Sequence, residues 1–139
     1  MVAPQHQGPH ALHSLRSGID LIEIARLEGV RPAIRERFLS RVFTPQELED
    51  ARDSSLHLAG RFAAKEAVAK ALGCGIGLVS WQEIEIRRGP AGEPVLVLYG
   101  KARQMADILG LTTWSVSISH TKEFALAMAV ACGDRAEPE

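Results

Sequence analysis

The chain has 139 residues, 46% of them apolar and 24% charged. That is enough for one domain whose core needs no disulfide or metal staple. The net charge is −1, so no global basic field attracts nucleic acid or an anionic membrane, and any such contact needs a local patch.

The opening segment MVAPQHQGPHALH has neither the basic head nor the continuous apolar stretch of a secretory leader. Its histidines, His6, His10 and His13, have no carboxylate or cysteine beside them at a ligand spacing. They read as part of a solvated tail over residues 1–14. The domain itself is expected over 15–132, followed by a polar tail over 133–139. The two cysteines, Cys74 and Cys132, form no C-x-x-C pair and read as reduced, buried thiols in a cytoplasmic setting.

SLRSGIDLIEIARL opens the fold. Strand alternation puts Ile19, Leu21 and Glu23 on one face and Asp20, Ile22 and Ile24 on the other. The run is apolar enough to predict a central strand with Asp20 on a buried side. In RPAIRERFLSR, the recurrence of Ile34, Phe38 and Val42 predicts one helix face, with Arg31, Arg35, Arg37 and Arg41 largely elsewhere. FTPQELEDAR predicts a helix start, with Thr44 as N-cap, Pro45 as first helical residue and Glu47 closing a capping box.

GRFAAKEAVAKALGCGIG reads as a buried helix that nonetheless carries Arg61, Lys65, Glu66 and Lys70. Phe62, Glu66 and Lys70 share one face, and Arg61 and Lys65 form a second i, i+4 pair beside it. A surface salt bridge between Glu66 and Lys70 is one reading; a ligand-facing stripe is the other. The glycines at 73, 75 and 77 follow this helix. A phosphate-binding loop has its glycines before the helix, where free N–H groups face the anion. Gly73 is therefore first a helix C-cap, and a phosphate here would be met largely by side-chain cations.

Next come a hairpin (VSWQEIEIRR, GPAGEP, PVLVLYG), a short helix (KARQMADILG) stopped by Gly110, and a strand (WSVSIS). After the turn HTKE, FALAMAVA forms the last strand, with Leu126, Met128 and Val130 facing one way and alanines the other. Its apolar run is far too short to span a bilayer. The order of elements predicts a single α+β domain, with helices packed on largely antiparallel strands.

Asp20 weighs against the salt-bridge reading of the helix. An unpaired charge within GIDLIEI is costly. If the helix crosses this strand, Asp20 and Glu66 converge, and two carboxylates with substrate phosphates and water are a common Mg²⁺ arrangement. A strand-end aspartate bonded to nearby N–H groups is the alternative. His120, at the end of SVSIS, is either an exposed turn residue or a ligand contact. No second His or Cys stands at a zinc spacing from it.

Taken together, GIDLIEIARL, FTPQELE, LAGRFAAKEAVAKALGCGIG and SISHTKEFALAMAV resemble the holo-acyl-carrier-protein synthases, the short 4′-phosphopantetheinyl transferases. The resemblance spans roughly residues 16–132. It implies the fold of that family and transfer of 4′-phosphopantetheine from coenzyme A to a serine of an apo acyl carrier protein, serving fatty-acid or other lipid assembly. By this resemblance, Asp20 and Glu66 hold Mg²⁺, and Lys70 contacts phosphate. Arg61, Lys65, Gly73, His120 and Thr121 line the nucleotide site. Glu66 is the first candidate for the base and His120 the second.

The resemblance also implies a homotrimer with active sites between subunits. Alanines 125, 127 and 129 permit close approach of a second copy, although packing within one chain explains them equally. Arg26, Arg31, Arg35, Arg37 and Arg41 supply a local basic patch for an acidic carrier protein, and Arg26 and Arg37 fit the family's docking positions best. Two readings compete: a scaffold that binds carrier or nucleotide without turnover, and a Mg²⁺-dependent phosphotransferase acting on a small alcohol.

Overall fold

The alternating segments at the two ends of the domain become its two longest strands. In the computed structural model, which describes residues 13–134, β1 (His13–Glu23) and β5 (Phe124–Asp134) pair antiparallel from His13 with Asp134 to Glu23 with Phe124. Both strands reach two residues past the domain bounds expected from the sequence. The rest of the two tails, including His6 and His10, lies outside the described residues. β4 (Thr113–His120) pairs with the other side of β5, so the sheet order is β1-β5-β4.

The expected central position of β1 is therefore corrected: β5 is central and β1 is an edge. The reason is that the apolar residues of β1 serve two faces. Ile22 is buried, whereas Ile19 and Leu21 stand 57% and 60% exposed on the outer face.

α4 (Ser55–Ala71) lies across the inner face of this sheet and carries most of its contacts. Small residues bring the two close. A Cβ on Gly18 of β1 would collide with the carbonyl of Ala67. Ala125, Ala127, Ala129 and Ala131 of β5 are fully buried, as are Ala63, Ala64 and Ala67 of α4. Packing within one chain thus accounts for the alanines of the last strand. A larger side chain at any of them meets a core already at crystal-like density.

Both ends of α4 are closed locally. The Ser54 side chain accepts from the amide of His57 at 3.3 Å. At the other end, the amides of Gly73 and Cys74 donate to the carbonyls of Lys70 and Ala69, with Gly73 at φ +75°. This is a Schellman closure, and it needs glycine at that position.

Three short helices follow β1: α1 (Ala25–Glu28) and α3 (Pro45–Ala51), which pack on α4, and α2 (Pro32–Val42) between them. The capping box of α3 is as expected: the Glu47 amide donates to Thr44 Oγ1 at 3.2 Å, and the Thr44 amide donates to Glu47 Oε1 at 2.9 Å. β2 (Ile84–Arg88) and β3 (Pro94–Leu98) form a separate hairpin, followed by α5 (Gly100–Ile108). The segment expected to begin β2 is instead a 3₁₀ turn at Trp81–Glu83. Of the two cysteines, Cys74 is buried as expected but Cys132 is exposed, at the outer face of β5.

Candidate active site

α4 carries its charges in three directions, and each has a different fate. Lys65 points into the core. Its side chain has no exposure; Nζ lies 2.6 Å from Glu47 Oε1 and donates to the carbonyls of Trp81 and Ile84 at 3.0 and 2.7 Å. Glu47 Oε2 in turn accepts from the Ile86 amide at 2.9 Å. A buried ammonium persists when its partners satisfy it, and here those partners tie α3, α4 and β2 together. The expectation that Lys65 contacts the nucleotide is corrected: all three of its protons are committed inside the protein.

Glu66 lies about 100° further round the helix and faces β1. There Asp20, on the inner face, meets the α4 stripe across the close approach that Gly18 allows. Lys70 Nζ donates to the Ile19 carbonyl at 2.8 Å and to Asp20 Oδ1 at 3.3 Å. Burial raises the pKa of Glu66 above the ordinary carboxylate range, the charge of Asp20 raises it further, and Lys70 opposes both. Asp20, Glu66, Phe62, Phe38, Arg26 and Leu27 are among the residues lining a cleft of about 570 Å³ between α1, α2, β1 and α4.

The donor set fits a hard divalent cation. Two carboxylates repel one another across an apolar-walled cleft, and no third His, Cys, Asp or Glu joins them among the described residues. That is the pattern for Mg²⁺ completed by phosphate oxygens and water rather than by an all-protein cage.

The third direction is a separate basic cleft of about 200 Å³, lined by residues that include His57, Gly60, Arg61, Arg88, Ile118 and His120. Arg61 is 8% exposed. Its Nε donates to the Ile86 carbonyl at 3.2 Å and its Nη1 to the His57 carbonyl at 3.3 Å. His120 ends β4, with its ring centroid 6.5 Å from that of His57. Thr121 stands beside it at the hairpin tip, where Oγ1 accepts from the amides of Glu123 and Phe124; its hydroxyl proton is left to donate. Gly73 holds the loop after α4, with the Arg16 guanidinium against it.

Sequence reasoning missed His57 and Arg88. His57 carried a usable signal, since it stands four residues before Arg61 on the same helix. Arg88 reaches the cleft only through the fold of the hairpin.

The arginine patch divides as well. Arg26, Arg37 and Arg41 are exposed. Arg35 is not available in the same way: it donates to Asp53 Oδ1 at 3.0 Å and to the Leu27 carbonyl at 3.3 Å. Arg35, expected to dock the carrier, also braces α2 against α1 and the α3–α4 turn.

An α+β domain with a carboxylate pair, a lysine and a basic cleft around one helix is suited to a ligand that carries phosphates and a divalent cation. Residues 16–129 match the family model for the 4′-phosphopantetheinyl transferase superfamily. The chain is 45% identical over 126 residues to a holo-[acyl-carrier-protein] synthase of Herpetosiphon aurantiacus, covering 86% of this chain and 99% of that one. It is 49% identical over 120 residues to the synthase of Moorella thermoacetica, with 84% and 92% covered. Its fold superposes on the Helicobacter pylori holo-[acyl-carrier-protein] synthase in complex with coenzyme A, with a TM-score of 0.75 at 37% identity over 83% of this chain and 98% of that one. The chain belongs to the 4′-phosphopantetheinyl transferase superfamily, and it is an enzyme of the holo-acyl-carrier-protein synthase type. The scaffold reading is thereby set aside.

Proposed function

We propose that the protein transfers 4′-phosphopantetheine from coenzyme A to a serine of an apo acyl carrier protein, with Mg²⁺, in the cytoplasm and in the service of fatty-acid assembly. The observation that carries this reading is the meeting of Asp20 and Glu66 in one cleft between β1 and α4, with Lys70 bonded to Asp20 beside it. The names of the relatives and the coenzyme A held by the Helicobacter pylori enzyme support the two substrates.

The serine oxygen forms a bond to the phosphorus that carries pantetheine. The bond from that phosphorus to the bridging oxygen breaks, and adenosine 3′,5′-bisphosphate leaves with the electron pair. Asp20 and Glu66 would hold the ion, which when bound neutralises charge on the pyrophosphate. Lys70, 53% exposed at its side chain, turns from Asp20 to phosphate when substrate arrives. Glu66, which shares the cleft with Asp20, is the first candidate for the proton acceptor, with His120 second. Arg26, Arg37 and Arg41 dock the acidic carrier beside this cleft. No helix among the described residues is long and apolar enough to cross a membrane.

The working form is a homotrimer with active sites between subunits. Arg61 and Lys70 are nine residues apart on α4, about half a turn around and about 13 Å along it. The carboxylate cleft and the basic cleft share no lining residue. One ligand meeting both sets is accommodated when the carboxylate cleft of one copy faces the basic cleft of the next. The outer face of the sheet, where Leu15, Ile19, Leu21 and Met128 are 74%, 57%, 60% and 44% exposed, offers the apolar surface for such packing.

Intact mass of apo acyl carrier protein after incubation with enzyme, coenzyme A and Mg²⁺ tests the reaction. The expected gain is one phosphopantetheine group, abolished by EDTA and by Glu66→Ala. A carrier that stays unmodified while still binding the protein would overturn the proposal.

A further inference from the structure

Lys70 is held by two bonds that it can leave. Its Nζ donates to the Ile19 carbonyl and, over a longer distance, to Asp20 Oδ1. The lysine side chain is 53% exposed, whereas that of Asp20 is 20% exposed. Ile19 lies on the edge strand, so its carbonyl turns to water when the lysine goes. An ion pair this exposed is weak, and the lysine stem is long and flexible. Among the described residues, Lys70 is the only side chain bonded to the Asp20 carboxylate. Glu66, in the cleft beside it, meets Asp20 and Lys70 only through space.

We propose that Lys70 is a placeholder cation: bonded to Asp20, it opposes a divalent ion on the Asp20–Glu66 pair, and it gives way when an anionic phosphate draws it off. The ion is thereby taken up together with the phosphates of the substrate and only weakly without them. The proposal rests on the reading of this carboxylate pair as the holder of Mg²⁺.

The ammonium and a divalent ion compete for one carboxylate. They are like charges bonded to the same group, in a cleft walled by Leu27, Phe38 and Phe62, and they repel more strongly there than in bulk water. Moving Lys70 to a phosphate replaces that repulsion with two attractions, ammonium to phosphate and carboxylate to metal. The coupling is reciprocal. A phosphate that draws Lys70 away raises the affinity for the ion, and an ion that displaces Lys70 leaves an ammonium ready for the phosphate. Direct bonding of phosphate oxygens to the metal couples the two ligands as well, but it has no effect on an ion that binds alone. Arg26 lines the same cleft, while the ion pair of Asp20 is with Lys70; Arg26 supplies positive charge without the contact and serves as the control.

The test is titration of the full chain with Mn²⁺, followed by the paramagnetic resonance signal of the free ion. It is run without carrier protein at pH 7.5 and fixed ionic strength, with and without saturating coenzyme A, against a protein-free blank. Coenzyme A should tighten Mn²⁺ binding to wild type. Lys70→Met should tighten Mn²⁺ binding about tenfold when coenzyme A is absent, a size ordinary for coupling between two ligands, and should narrow the gain that coenzyme A brings. Arg26→Met should change the affinity for Mn²⁺ alone by less than about twofold. If Lys70→Met bound Mn²⁺ alone no more tightly than wild type, or if Arg26→Met tightened it as much, the placeholder role would be overturned while metal binding with coenzyme A stood. Failure of wild type to bind Mn²⁺ even with coenzyme A would overturn the reading of the carboxylate pair, and this inference with it.

Discussion

The two clefts beside α4 are opposite in character. One is walled by Phe38, Phe62 and Leu27 and holds two carboxylates. The other is lined by two histidines and several arginines. A single helix serves both because its charged residues leave it in different directions, and its alanines let it lie close enough to the sheet for Asp20 to join. Each cleft has what the other lacks: one can hold a cation, the other an anion. A ligand carrying a pyrophosphate at one end of its nucleotide and a phosphomonoester at the other is matched by the two clefts together.

The two lysines of α4 give the largest contrast. Lys65→Met leaves Glu47 buried without its cation, and breaking a buried pair in this way costs about 3–5 kcal/mol; urea unfolding should report it. Lys70→Ala should leave stability within about 0.5 kcal/mol, as expected of an exposed pair, yet lower kcat for transfer by about a hundredfold or more. If Lys65→Met unfolded no more easily than Lys70→Ala, the division of α4 into a structural and a chemical side would be wrong.

A smaller effect separates the arginines of α2. Arg37→Glu should raise KM for the carrier protein by roughly tenfold, with KM for coenzyme A unchanged. Arg35→Ala, by contrast, should lower Tm through loss of the contacts to Asp53 and Leu27, and rescue by extra carrier should be incomplete. Equal effects of Arg37→Glu on both substrates would remove it from the docking surface.

The smallest effect is the pH dependence of Glu66. Its folded pKa lies above the unfolded one, so ionising it opposes folding. That penalty is absent below the ordinary carboxylate pKa of about 4.3 and fully present once pH exceeds the raised value. Glu66→Gln should therefore raise Tm slightly in metal-free buffer at pH 7.5 and leave it unchanged at pH 4. A lower Tm at pH 7.5 would mean that Lys70, not Asp20 and burial, dominates around Glu66.

Much of this was legible before the fold. The capping box at Thr44 and Glu47, the two faces of β1 and the stripe of Phe62, Glu66 and Lys70 follow from periodicity alone, because neighbours along one helix or strand decide them. What was not legible depends on distant segments. Lys65 turns inward because Glu47, eighteen residues earlier, waits on α3. Arg35 is committed because the α3–α4 turn presents Asp53. β1 is an edge because β5, more than a hundred residues later, pairs with β1 on one side and β4 on the other. His57 joins a cleft only when the β2–β3 hairpin brings Arg88 to the start of α4. Polar side chains with long-range partners are the residues whose role spacing alone misassigns.

The division of the site between two copies is the claim on which the rest turns. The direct measurement is complementation: Glu66→Ala and His120→Ala chains, differently tagged, are co-expressed and the mixed assembly is isolated through both tags. Each parent alone should be at least about a hundredfold down in phosphopantetheine transfer. The account predicts that the mixed assembly recovers a clear fraction of wild-type activity, because some interfaces join an intact carboxylate cleft to an intact basic one. A mixed assembly no more active than either parent would contradict it and return the whole site to a single chain.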